Sequence, residues 1–447
     1  MAGPTVTFLG GVREIGGNKL LIEDGPDRVL FDFGPSFSAR REEYYVDYLQ
    51  PRSTSPAKDL LEFGLVPRLG GLYSRDALGD ADLAWEPPTV QGIFVSHAHA
   101  DHAGYLDLVD PEIPVYVGAG TRTLMSAIET STMMRYGEHP YRTFTDRTPV
   151  RFGRIEVVPY PVDHSIPFAY GFIVRTSNGS LVYTGDFRQH GPRASDTREF
   201  FRAAAEERPA TLVTEGTRAG PDARPNLSEA GVRSHVDRLL ADRPELALAC
   251  TYPRDIDRLV TLHAAALEAD RSLVVSARTA HLLTTVAPQF PGGGVPVPDP
   301  GRGLLVYDRK KKRHFNWEKP FLDDALSAEE VRAHGRRYLL ALDLLHFPEL
   351  IDLRPPHGAP FIHSMSEPFS EDDVDDRVMH NWLEHFGLSF HQMHASGHAS
   401  ERELFEIVRS VAPTTVFPIH TEHPEAFRAA GPSVRLPELG RPYPIGR

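Results

Sequence analysis

The run Phe94-Val95-Ser96-His97-Ala98-His99-Ala100-Asp101-His102 places four candidate metal ligands within six residues. His97 and His99 are two apart, so an extended backbone turns both to one side. Asp101 and His102 follow where a helix can begin, and they reach toward a second point beside the first. Imidazole and carboxylate together suit Zn2+, with Mn2+ or iron as alternatives. Four ligands overfill an open catalytic site on one ion and underfill two. More are expected downstream, each at the end of a strand. Three candidates stand in such places: His164 in Val162-Asp163-His164, Asp186 in Thr184-Gly185-Asp186, and His420 in Pro418-Ile419-His420.

The elements that must carry these residues are legible as periodicity. Segments 5–9, 19–23 and 29–34 read as an antiparallel meander. The Gly-rich stretch 10–17 lacks a Walker Lys and a βαβ setting, so it reads as a tight turn between strands. Residues 36–90 mix Pro, aromatic and charged residues and predict short helices and irregular loops. Apolar β-type runs recur at 91–95, 113–117, 155–160, 170–175 and 180–184, with a helix-like stretch at 119–135, a mixed α/β layer pattern. From about 209, strand-like runs at 210–214, 247–250 and 272–276 alternate with helical patterns at 228–241, 254–269 and 279–288. This is the βαβ rhythm of a parallel sheet. Helices are predicted at 326–334 and 371–386, and a final strand at 414–419 before a polar tail.

Composition bounds the function. The 447 residues carry 48 Lys+Arg and 61 Asp+Glu, a formal charge of −13, with 21 His and one Cys, Cys250. A single Cys excludes an intramolecular disulfide framework and a Cys-rich metal cluster, and Cys250 reads as core. No apolar run approaches the ~18 residues that cross a bilayer. The first residues lack a basic and apolar leader pattern, so a cytoplasmic address and no membrane partner are expected. The acidic balance argues against coating nucleic acid by bulk charge, and leaves room for a local basic groove. The basic run 309–313, followed by Phe315 and Trp317, reads first as a solvated face.

The His-x-His-x-Asp-His run, the later His164, the Gly185-Asp186 pair after a strand and the late His420 resemble the metallo-β-lactamase fold, an αββα sandwich. The resemblance implies one ion on His97, His99 and His164 and a second on Asp101, His102 and His420. Asp186 would bridge them, and Asp32 would orient ligand imidazoles from behind. The implied cofactors are two divalent ions, Zn2+ first and Mn2+ second. Two ions about 4 Å apart sharing a carboxylate and a hydroxide can clamp both oxygens of an in-line displacement.

The long stretch between Asp186 and His398 resembles the inserted α/β β-CASP domain of nucleic-acid-processing nucleases. Glu215, His398 and His420 fall on that family's three motifs. The chain resembles the shorter RNase J-like proteins of archaea and bacteria, without the separate C-terminal domain of many bacterial ones; bacterial RNase J generally carries Asp where Glu215 stands, and Glu215 is more like the mRNA 3′-end-processing endonucleases. The implied domains are 1–208 and 391–447 for the sandwich and 209–390 for the insertion. The implied function is a two-metal phosphodiesterase acting on single-stranded RNA, a 5′→3′ exoribonuclease with endonuclease activity as a second mode. Hydroxide held by the metals attacks phosphorus, and Asp101 orients it or takes its proton. His398 protonates the leaving 3′-oxygen, with Glu215 behind it. His394 and Ser396 resemble a 5′-phosphate site. Ser364, Ser366, Arg254 and Arg258 are further candidates for phosphate contact. A DNA nuclease of the same fold, or a non-catalytic scaffold subunit of an RNA-processing complex, are the alternatives. A homodimer is compatible with all three.

Overall fold

The computed structural model describes residues 3–37, 43–45, 49–221, 227–241, 245–290, 292–367, 373–431 and 433–446. Thr5–Gly10, Lys19–Asp24 and Asp27–Phe31 form the expected antiparallel meander. The sheet continues in parallel through Ile93–Phe94, Val115–Gly118 and Tyr141–Phe144. Its other edge is closed by Pro442–Pro444, which pairs with Thr5–Gly10. The segment read from sequence as a polar tail therefore supplies a strand, because Tyr443 and Ile445 have a core to enter.

The second sheet runs in the spatial order Thr415–Ile419, Thr211–Glu215, Gly179–Tyr183, Ala169–Thr176, Ile155–Val162 and Val150–Phe152. The two sheets face each other across an aromatic core that includes Phe8, Phe31, Phe94, Phe172 and Phe417. Phe31 meets Phe172 edge-on at 5.2 Å, a favourable quadrupole arrangement. Helix Ala119–Ser131 covers the first sheet through Leu124, Met125 and Ile128. Helices Ala194–Glu207 and Glu401–Val411 cover the second through Phe200, Phe201, Leu404 and Val408. The result is the αββα sandwich.

A third, all-parallel sheet has the order Leu304–Tyr307, Ser272–Ser276, Tyr338–Ala341, Ala247–Thr251, Pro360–Ser364 and Ser389–Gln392. Helices Glu229–Ala241, Ile256–Glu268 and Ala277–Val286 bury its one face, and Val374–His385 helps to cover the other. Covered on both sides, its strands are continuously apolar, as in Leu273-Val274-Val275. One expectation is corrected here. The strand predicted at 210–214 does not open this sheet. Thr211–Glu215 lies in the second sheet, parallel to both Gly179–Tyr183 and Thr415–Ile419. A buried parallel strand reads alike in either sheet, and only the distant partner 415–419 decides its place. The third sheet and the helices packed on it run from Glu229–Ala241 to Ser389–Gln392. Within 36–90, helices Pro56–Glu62 and Arg75–Leu78 match the composition, while 38–42 and 46–48 lie outside the described residues. Among the described residues no helix is long and apolar enough to cross a membrane.

Candidate metal centre

The centre is assembled at strand ends, where loops leave the core. Asp32 follows strand Asp27–Phe31 with φ of 56°, a left-handed conformation that Asp tolerates. Its carboxylate is wholly buried and works as a hub. Oδ1 accepts from the Ser96 amide (2.7 Å), and Oδ2 from the Ser96 hydroxyl (2.8 Å), His102 Nδ1 (2.8 Å) and the Tyr183 hydroxyl. With its Nδ1 proton committed, His102 presents the Nε2 lone pair to the site. The same device recurs at two other imidazoles. His164 Nδ1 donates to the Gly397 carbonyl at 2.6 Å, and His420 Nδ1 to the Thr217 hydroxyl at 2.8 Å. His99 caps the four-residue helix Ala100–Ala103, which swings Asp101 and His102 away from His97.

Seven candidate donors converge in two groups, each with its ligand atoms within 4.8 Å of one another. In the first, His99 Nδ1 lies 3.0 Å from His97 Nε2 and 3.1 Å from His164 Nε2. Burial holds His97 and His164 well below the usual imidazole range and lowers His99 to about 4. Three neutral imidazoles turning ring nitrogens to one point this closely form a donor set that a cation would satisfy. In the second group His420 Nε2 is 3.0 Å from Asp101 Oδ2, and His102 Nε2 is 3.2 Å from Asp186 Oδ2. Burial works to lower both imidazoles, but Asp186 and Asp101 outweigh it. They lift His102 well above its usual range and His420 to about 9. These four residues need positive charge among them, and without a metal protons supply it. Asp186 Oδ2 stands between the groups, 3.9 Å from both His97 Nε2 and His164 Nε2. Its Oδ1 is buried with no hydrogen-bond partner among the described residues, an expensive position for a carboxylate oxygen that a cation relieves. The donor set fits metal binding.

Glu215 ends strand Thr211–Glu215. Its Oε2 accepts from the Thr217 amide at 3.0 Å and faces His398 Nδ1 at 3.2 Å. That pairing leaves His398 Nε2 free for a substrate. His398 lines a cleft of about 760 Å3 together with Asp101, Asp186, Tyr252, Arg254 and Arg278. Ser366, His394 and Ser396 also line it, with the Ser366 hydroxyl 2.7 Å from that of Tyr252.

Two residues expected at this surface are turned away from it. Arg258 is fully buried, with Nε on Glu229 Oε1 (2.8 Å) and Nη1 on the Ser364 carbonyl (3.0 Å). Ser364 is likewise fully buried and spends its hydroxyl inside the protein. The reason is position. Arg258 occupies the inner face of helix Ile256–Glu268, whereas Arg254 precedes the helix and takes the cleft. His394 Nδ1 lies 3.3 Å from the Ser364 carbonyl, and burial beside Arg258 lowers it to about 3, so its ring is neutral. In the basic run, Lys311 pairs with Glu318, and exposed Phe315 stacks on Trp317. Cys250 is buried 3.3 Å from Met365 Sδ. The sequence reading missed Ser96, Tyr183, Thr217 and the Gly397 carbonyl. The nearness of Ser96 to His97 and of Thr217 to Glu215 was the only available signal. A carbonyl leaves none.

Residues 76–227 match the β-lactamase superfamily domain and residues 387–430 the Zn-dependent metallo-hydrolase RNA specificity domain. The chain is similar to Ribonuclease J of Mycoplasma genitalium, at 22% identity over 94% of the chain and 68% of the relative. It is 25% identical to Ribonuclease J of Sinorhizobium meliloti over 81% of the chain and 63% of the relative. For Helicobacter pylori Ribonuclease J the values are 22%, 95% and 57%. The chain thus spans between 57% and 68% of the length of these relatives. In fold it is similar to a crystal structure of a protein of unknown function from Enterococcus faecalis V583. The TM-score is 0.81 at 24% identity, covering 99% of this chain and 100% of that one. The sandwich, the two matched domains and the similarity to Ribonuclease J proteins over most of the chain are those of a ribonuclease J-like metal-dependent hydrolase with a β-lactamase superfamily domain.

Proposed function

We propose that the chain hydrolyses the phosphodiester bonds of single-stranded RNA with two divalent ions, proceeding 5′→3′ from a monophosphorylated end, with internal cutting as a second mode. The observation that carries this reading is the position of Asp186 Oδ2 between two converging donor groups, beside the Glu215–His398 pair in one cleft. The relatives named Ribonuclease J and the match to an RNA specificity domain support RNA over DNA. The presence of all seven donors supports catalysis over a scaffold role.

His97, His99 and His164 would hold one ion and Asp101, His102 and His420 the other, with Asp186 shared. Zn2+ suits this imidazole-rich set best. Bound ions there supply charge stabilisation at phosphorus and a water acidic enough to attack. Asp101 orients the attacking water or takes its proton. His398 gives a proton from Nε2 to the departing 3′-oxygen, while Glu215 holds Nδ1 and stabilises the charged ring. Arg254 and Arg278 meet backbone phosphates. The Ser396 hydroxyl, which accepts from the His398 amide at 3.1 Å, keeps its own proton for a phosphate oxygen. With its one N–H on the Ser364 carbonyl, neutral His394 offers a second donor at Nε2 only if an arriving phosphate raises its pKa. The products carry a 5′-phosphate and a 3′-hydroxyl.

The test is a product ladder from 5′-labelled single-stranded RNA, as monophosphate and triphosphate, with matched DNA alongside. Mononucleotides appearing at once from the monophosphate, and slower loss of the triphosphate, are expected. No hydrolysis with added Zn2+ or Mn2+, or equal cutting of DNA, would refute the proposal. Light scattering on the same preparation tests the homodimer.

A further inference from the structure

Between the sandwich and the inserted unit lies a cluster of seven charges. Arg188, Arg193 and Arg258 stand against Asp163, Asp255, Asp257 and Glu229, and all but Arg193 are buried. Asp257, on helix Ile256–Glu268 of the inserted unit, is the meeting point. It accepts from Arg193 Nη1 (2.8 Å) and Nη2 (2.7 Å) and from Arg188 Nη2 (2.9 Å). Arg188 stands two residues after Asp186. Its Nε donates to Asp163 Oδ1 at 2.9 Å, and its backbone N–H donates to the Asp163 carbonyl at 2.7 Å. Asp163 directly precedes His164, and its Oδ2 accepts from the Arg193 amide at 3.0 Å. The loops bearing His164 and Asp186 are thus tied to each other through Arg188 and to the inserted unit through Asp257.

This arrangement is a poor way to gain stability alone. Buried ions cost much of their mutual attraction in lost hydration, and apolar replacements of equal volume often do as well or better. Arg188 Nη1 and Arg193 Nε even lack hydrogen-bond partners among the described residues. The same two units already share an apolar seam, in which Leu124 and Ile128 join Leu282 and Leu283 in one buried cluster. What the charged cluster adds is direction, because the two-pronged contact of Arg193 with Asp257 defines an angle as well as a distance.

We infer that Asp257 is a positioning residue for the metal centre: from the inserted unit, through Arg188 and Arg193, it sets the placement of His164 and Asp186. The inference rests on the reading of those two residues as ligands. Zn2+ affinity, by chelator competition, and the visible spectrum of the Co2+-loaded full chain are measured for wild type, Asp257→Asn and Asp257→Ala. Loss of a group that orients metal ligands lowers metal affinity by roughly 10- to 100-fold. That loss is expected for Asp257→Ala, with altered Co2+ bands, and a smaller loss for Asp257→Asn, which keeps one acceptor oxygen. If Asp257→Ala does not fold, Arg193→Gln, altered at a partly exposed side chain, carries the same test. A folded variant that melts earlier but keeps wild-type Zn2+ affinity and Co2+ spectrum would overturn the inference, since the cluster would then serve stability only. A wild-type chain that takes up neither ion would instead overturn the metal reading itself, so the two failures are distinguishable.

Discussion

Asp32 offers the sharpest test of how the centre is built. Four donors converge on its carboxylate, namely the Ser96 amide and hydroxyl, His102 Nδ1 and the Tyr183 hydroxyl. Asp32→Asn keeps the volume and tolerates the left-handed φ of 56°. Its amide oxygen can stay on the Ser96 amide, but its NH2 only donates. Facing that NH2, His102 must accept at Nδ1 and carry its proton on Nε2, the atom 3.2 Å from Asp186 Oδ2. A protonated Nε2 cannot ligate. The expected cost is a 10- to 100-fold loss of Zn2+ affinity, about 1.4–2.7 kcal/mol. Asp32→Ala behaves differently. It strands four buried groups, at roughly 1–3 kcal/mol each before relaxation, and strains the backbone. A stability loss on the order of 3–5 kcal/mol is expected. Chelator competition measures the first effect, and melting in EDTA measures the second. Wild-type Zn2+ affinity in Asp32→Asn would refute the reasoning, because the His102 tautomer would then not depend on Asp32.

Three further outcomes are expected. His398→Gln should lower kcat by about 10²–10⁴-fold at unchanged metal content; lost metal would instead make His398 a ligand, consistent with its place near His164 and Asp186. Zn2+ binding at pH 7 should release about two protons, because His102 and His420 are held charged by Asp186 and Asp101, with His420 at about 9. Affinity should therefore rise with pH up to about 9, and calorimetry in two buffers of different ionisation enthalpy showing no release would contradict this. Burial, against the pull of Arg258, raises Asp255 to about 6, above the ~3.9 of an unfolded chain. The native state then holds this proton more tightly, so stability from Asp255 falls as pH rises from about 4 to about 6. Asp255→Asn, which can still cap helix Ile256–Glu268, should raise Tm at pH 7.5 by the equivalent of up to roughly 3 kcal/mol, with the gain gone near pH 4. An unchanged Tm at pH 7.5 would count against the buried charge.

Much of this protein is written locally. The spacing of His97, His99, Asp101 and His102 after an apolar strand, and single acids or imidazoles at the ends of later strands, picked out donors that do converge in space. Strand and helix periods placed most elements within a few residues, because burial on one or both faces leaves its mark on neighbouring positions. Pairing between distant segments left no such mark. Whether Thr211–Glu215 joins the second or the third sheet depends on Thr415–Ile419, and the strand Pro442–Pro444 exists because Thr5–Gly10 offers it an edge. The turn of a helix decides that Arg258 braces the interior while Arg254 lines the cleft. His164 and His420 turn Nδ1 to a carbonyl at Gly397 and a hydroxyl at Thr217, and Asp257 ties the loops bearing His164 and Asp186 to the inserted unit through Arg188 and Arg193. Ligand chemistry belongs to residue types and short spacings, so the sequence alone determined it. The protonation and direction of each candidate donor depend on partners brought close only by folding, and the tertiary structure alone decided those.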